Sequence, residues 1–216
     1  MREWIAGVEV AWLGRVPYLD ALTRQRVRRD RVIDGSAPEA FWLLEHDPVI
    51  TTGRRGVDDL PDADTLRRRG LQIVHTERGG LATWHGPGQL VGYLVLDLAR
   101  HGLKVRTMVH GLEQGIIDWL AARDVPAARR DGYPGVWVGR DKVCAVGLHF
   151  RHGVSLHGFA LNLVNDLDGF QWITPCGITD GGVTTLARRV PDAPRPEDAA
   201  PSVARAVLHA LGIPSH

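Results

Sequence analysis

With 216 residues, 44% hydrophobic and 24% charged, the chain has the make-up of one globular domain with a sizeable core. A formal net charge of +1 gives no footing for nucleic acid or a membrane surface, and no apolar run approaches the roughly 20 residues of a membrane span. Two cysteines cannot build a disulfide framework, and Met1-Arg2-Glu3-Trp4 lacks the basic start of a secretory signal, so a cytoplasmic location is expected.

In chain order, Val8 to Leu13 reads as a strand, and Pro17 opens a helix that runs to Asp34 and stops at Gly35. Phe41 to Glu45 and Val49 to Thr52 read as a strand pair broken at Asp47-Pro48. A short helix is expected from Asp64 to Arg69, then extended chain from Leu71 to Thr76. Gly79-Gly80 and Gly86-Pro87-Gly88 bracket a loop or hairpin, and Gln89 to Leu98 makes an apolar, central strand. From Thr107 to Arg123 a helix carries Met108, Leu112, Ile116, Trp119 and Leu120 on one face. Val136 to Val138 and Val143 to Phe150 form a hairpin, followed by a strand from Ser155 to Val164. Residues 191–199 read as a linker to a last helix over 200–212, striped by Val203, Ala206, Val207, Ala210 and Leu211. The whole reads as one α+β domain, a mixed β-sheet with helices packed against it.

The thiols differ in setting. Cys144 lies in the apolar run Val143 to Val146 and reads as a small buried hydrophobe. Cys176 stands between Pro175 and Gly177, in a turn able to present sulfur to a cleft. A thiol with an ordinary pKa near ~8.5 needs a neighbouring base or cation to attack. His85, His149, His157 and a lysine are the candidates.

Of 26 basic residues only Lys104 and Lys142 are lysines, the type that can give up its proton where arginine cannot. Lys142 opens a strand whose same-face residues, Cys144, Val146 and Leu148, are apolar, although it also reads as the polar tip of a hairpin. Lys104 has no such surroundings and reads as solvated. The stretch from Arg78 to Gln89 is dense in glycine, so its backbone amides could cradle an oxyanion or phosphate, or simply turn twice. It lacks the lysine of a P-loop and the strand–helix setting of a dinucleotide fingerprint. Histidine spacing does not suggest a metal site, and the five arginines Arg24, Arg26, Arg28, Arg29 and Arg31 read as a solvated helix face, or as a docking surface for an acidic partner or for RNA.

Taken together, Arg78-Gly79-Gly80, Thr83, His85-Gly86-Pro87-Gly88-Gln89, Lys142-Val143, Ala145-Val146-Gly147, His157-Gly158, Ala160-Leu161-Asn162, Pro175-Cys176-Gly177 and Thr184-Thr185-Leu186 resemble the signature of the lipoyl(octanoyl) transferase family. The resemblance runs from about Val8 to Val190. It implies the biotin/lipoate protein ligase-like fold and transfer of octanoyl from octanoyl-acyl carrier protein to lipoyl domains. The acceptors would be 2-oxoacid dehydrogenase E2 subunits and the glycine cleavage H protein, and no cofactor or metal is called for. It further implies Cys176 as the acyl-thioester residue and Lys142 as the lysine that lowers its pKa. Acyl contacts would fall on Arg78, Gly79, Gly80, Leu81, Ala82, Thr83, Trp84 and His85. Others would fall on Ala145, Val146 and Gly147, and on Gly158, Phe159 and Ala160. Three other readings remain open: an ATP-dependent lipoate-protein ligase, a cysteine hydrolase using His157 or His85, and a non-catalytic module that only docks the acyl carrier.

Overall fold

The computed structural model describes residues 1–54, 68, 71–173 and 181–213. Among the described residues, ten strands fall into two sheets. β1 (Arg2–Ile5), β2 (Val8–Arg15), β3 (Glu39–Glu45), β7 (Gln89–Val95), β8 (Gly135–Val138), β9 (Asp141–Arg151) and β10 (Val154–Asn162) form the larger, in the order β1-β2-β3-β7-β10-β9-β8. β4 (Val49–Thr52), β5 (Gln72–His75) and β6 (Thr83–His85) form the smaller, in the order β5-β4-β6. Both sheets are mixed: β2 runs parallel to β3 and β4 to β5, while the other pairs are antiparallel.

β7 is the central strand of seven and wholly buried, because helices cover both faces of the large sheet. On one face α2 (Val105–Ala121) and α3 (Pro196–Ala210) pack Met108, Leu112, Ile116, Val203 and Val207 against Phe41, Leu43, Leu90, Leu94 and Leu161. On the other, α1 (Tyr18–Ile33) sets Ala21 near Leu44, Val91, Tyr93 and Ala160. Its buried set of Tyr18, Ala21, Leu22, Gln25, Arg29 and Val32 follows the helical period, and Gly35 ends the turn beyond it at φ 76°. α2 and α3 cross closely because Gly115 has no side chain: a Cβ there would lie 2.5 Å from the Val207 Cα.

Several expectations are corrected. Phe41 to Glu45 and Val49 to Thr52 do not pair; they belong to different sheets, and Asp47-Pro48 is where the chain passes between them. β1 was hidden in the sequence because only Ile5 of its four residues is buried. The last helix begins at Pro196, inside the expected linker, since proline at a first helical position forfeits no hydrogen bond. The expected helix at 64–69 lies outside the described residues apart from Arg68, and Cys176 lies outside them as well.

Candidate functional site

A mostly apolar cavity opens between the α1-facing side of the large sheet and the small sheet. Its floor is built by alternation. Val91 and Tyr93 rise from β7, Gly158 and Ala160 from β10, and Ala145 and Gly147 from β9, with Val146 and Phe159 at its margin. Gly147 and Gly158 are directly paired, so two adjacent strands offer bare backbone there. Thr83 and His85 of β6 face the cavity, as do Arg78, Gly79 and Gly80. The Arg78–Gly80 turn is tied to the large sheet by Gly79 N donating to Leu148 O at 3.0 Å. It packs on Gly147, whose Cβ, if present, would come within 3.1 Å of Gly79 O.

Lys142 lines the same cavity at 5% exposure. Its arrival there depends on a β-bulge. Val136 pairs with Cys144 but Trp137 pairs with Lys142, leaving Val143 as the extra residue. The expected common face of Lys142 and Cys144 is therefore broken. Cys144 enters the core at 0% exposure, where burial pushes its thiol pKa far up, while Lys142 joins the wall with Ala145. The amine donates to Pro134 O at 3.1 Å and stands 4.9 Å from the Trp137 ring centroid. Along the strand, Lys142 N donates to Gly182 O and Lys142 O accepts from Thr184 N. The chain that follows residue 180 is thus laid beside Lys142.

The polar wall is preorganised. His46, at the passage between the sheets, must donate from Nδ1 to Val16 O at 2.6 Å, because a carbonyl can only accept. Its Nε2 then accepts from the Tyr93 hydroxyl at 2.7 Å. By the same logic His85 donates from Nδ1 to Gln89 Oε1 at 2.7 Å, since Gln89 Nε2 donates to Asn162 Oδ1 at 2.9 Å. Desolvation pushes the pKa of His46 down to about 4 and that of His85 to about 3, so both rings are neutral. The buried Arg78 guanidinium donates to Thr51 O at 2.7 Å and to Gly79 O at 3.0 Å.

Of the residues singled out in the sequence, Leu81, Ala82 and Trp84 are set apart from the cavity. Trp84 alternates away from Thr83 and His85 and packs with Ala82, Ile50 and Ile173 in a separate cluster. Lys104 is exposed, and His149 is half-buried outside the cavity wall. Sequence reasoning missed Tyr18, His46 and Tyr93. The available signal was a polar side chain interrupting an apolar strand, as Tyr93 does in β7. Among the described residues no group of three His, Cys, Asp or Glu side chains is placed to hold a metal ion, and no helix is long and apolar enough to cross a membrane.

Comparison with known proteins points one way. A family model described as the lipoyl protein ligase A/B catalytic domain matches residues 17–208. The chain is 43% identical over 206 residues to an octanoyltransferase of Chromohalobacter salexigens, covering 95% of this chain and 91% of that protein. It is 44% identical over 191 residues to an octanoyltransferase of Halorhodospira halophila, covering 85% and 86%. Among solved structures, lipoate-protein ligase A bound with ATP superposes with a TM-score of 0.71 at 18% identity, over 96% of this chain and 86% of that one. A biotin protein ligase from Aquifex aeolicus, with biotin and ATP, gives 0.56 at 14% identity over 94% and 70%. At such identities the structures establish a shared α+β fold.

Proposed function

Because the chain belongs to the lipoyl protein ligase A/B catalytic-domain family, we propose that it transfers octanoyl from acyl carrier protein to a lysine of lipoyl domains, through a thioester on Cys176. The observation that carries this reading is the buried Lys142 amine at an apolar cavity, with the chain on both sides of the Cys176 segment attached to the same place. Phe170 and Val183 line a pocket together with Lys142, Ala145 and Ala160. Cys176 is three residues from Ile173, a reach of at most roughly 10 Å.

Lys142 takes the thiol proton or pairs with the thiolate, and the sulfur attacks the octanoyl thioester while a backbone amide steadies the oxyanion. The phosphopantetheine thiol leaves with that proton, and the acyl group stays on Cys176. A neutral lysine of the lipoyl domain then attacks the new thioester, forming the amide and returning the thiol. Thioester exchange is nearly isoenergetic and amide formation runs downhill, so ATP has no part in either step. The substrate contacts fall to Arg78, Gly79, Gly80, Thr83 and His85, and to the β9 and β10 residues of the floor. The acceptors are E2 subunits of 2-oxoacid dehydrogenases and the glycine cleavage H protein, and the setting is the cytoplasm.

Incubation with octanoyl-acyl carrier protein should add one octanoyl mass to the wild-type chain in intact-protein mass spectrometry, and none to Cys176→Ala. Labelling of Cys176→Ala would sink the thioester route. Transfer that requires ATP would favour the ligase, release of free octanoate a hydrolase, and carrier binding without turnover a docking module.

A further inference from the structure

The cavity has two unlike ends. Lys142, Ala145 and Ala160 stand at one, and past the paired glycines Gly147 and Gly158 stands His157, opposite Leu148. From Ala145 to Leu148 is three residues of strand, roughly 10 Å at about 3.3 Å each, which is about the length of an extended eight-carbon chain. An acyl group whose carbonyl lies beside Lys142 therefore ends against His157.

His157 is an unusual residue to find in a strand. Its φ is 64°, its ring is 2% exposed, and neither ring nitrogen has a hydrogen-bond partner among the described residues. The backbone is pinned instead, with His157 N donating to Gln25 Oε1 at 2.9 Å. Behind the ring, Nε2 lies 3.8 Å from Glu77 Oε2. Glu77 accepts from Arg26 Nε at 3.0 Å and from Nη2 at 2.8 Å. Side-chain exposure climbs along this file from 2% at His157 to 22% at Glu77 and 47% at Arg26. Glu77 and Arg26 form the wall of a separate surface groove shared with Arg29, His149 and Arg151. One file of side chains thus divides the inner end of the cavity from solvent. Behind the neighbouring Tyr93 there is no such exit, only His46 at 0% exposure.

The geometry points to His157, backed by Glu77 and Arg26, as the end stop that sets the acyl chain length the cavity accepts. The inference rests on the functional reading above, with His157 acting by its bulk. A longer chain must displace a ring whose backbone is pinned, and press methylenes against a carboxylate held by arginine. With the ring removed, the cavity continues into the outer groove and the limit is lifted.

The test is His157→Gly, since glycine adopts the observed backbone without strain. Transfer from octanoyl- and dodecanoyl-carrier protein is compared, together with calorimetric binding of the free eight- and twelve-carbon acids. The dodecanoyl-to-octanoyl ratio should rise at least tenfold in His157→Gly. It should rise less in Glu77→Ala, which lets the ring swing outward, and not in Glu77→Gln, which keeps the volume. A ratio within twofold of wild type in a folded His157→Gly chain overturns the proposal. If that variant fails to fold, equal ratios in Glu77→Ala and Glu77→Gln overturn it. A wild-type chain that binds octanoate but transfers no octanoyl would refute the functional reading, and the binding ratios alone would then decide the end stop.

Discussion

A single extra residue, Val143, decides what Lys142 can do. In an uninterrupted strand Lys142 would share the face of Cys144 and point into the core beneath α2 and α3. The bulge carries it to the cavity wall, where its amine donates to one backbone carbonyl and no carboxylate lies within ion-pair distance among the described residues. Lys142→Met should lower octanoyl transfer at least a hundredfold. The stability loss should be only about 1 kcal/mol, the typical worth of one hydrogen bond, read from urea unfolding. Cys144→Ala separates the two thiols: acyl-enzyme should still form in the mass spectrum, because Cys144 is packed at 0% exposure and its thiol is held protonated. The burial of Cys144 was legible from its apolar neighbours, whereas the setting read for Cys176 lies outside the described residues. The bulge was not legible, since it depends on how Trp137 and Val136 meet β9.

At the level of elements, glycine positions determine how closely strands and helices approach. A Cβ on Gly158 would lie 2.1 Å from Gly92 O on the next strand, and backbone inside a seven-stranded sheet cannot step aside. Gly158→Ala should therefore cost about 1–3 kcal/mol, the usual range for overpacking, measured by denaturant unfolding. Gly115→Ala should cost a similar amount by prising α2 from α3. α1 shows how far a helix can be read in advance. Its start after Pro17 and its end at Gly35 agree with the sequence signals, but its arginines divide in a way no periodicity reveals. Arg26 binds Glu77, Arg28 binds Glu9 and lies 5.1 Å from the Trp42 ring centroid, and Arg29 is buried beside Asp30. Most of the row is tied to its own fold, which leaves less charge for docking a carrier than the bare sequence suggests.

For the molecule as a whole, the neutral histidines His85, in the cavity wall, and His46, behind Tyr93, set an acid limit. Above pH 6.5, the ordinary histidine pKa, neither folded nor unfolded chains hold these protons and the full stability is present. As pH falls, the unfolded chain takes up protons that the folded one refuses, down to about 4 for His46 and about 3 for His85. Stability should therefore decline steadily with acidity across this window. The slope in His46→Gln should be shallower by up to one proton, roughly 1.4 kcal/mol per pH unit, in urea titrations at a series of pH values.

Read by itself, the sequence determined what local chemistry can express: most helices and strands through their periods, the family through motifs in order, and the buried place of Cys144 through its apolar neighbours. Tertiary structure decided that β3 and β4 part into separate sheets and that Lys142 leaves its expected face. It also brought Tyr18 and Tyr93 to the cavity, set His46 behind Tyr93, and placed His157 before Glu77 and Arg26. The reason is physical. Periodicity and turn chemistry act over a few residues, whereas the placing of a buried polar residue is set by partners 47, 80 or 132 positions away, as for Tyr93 with His46, and for His157 with Glu77 and Gln25.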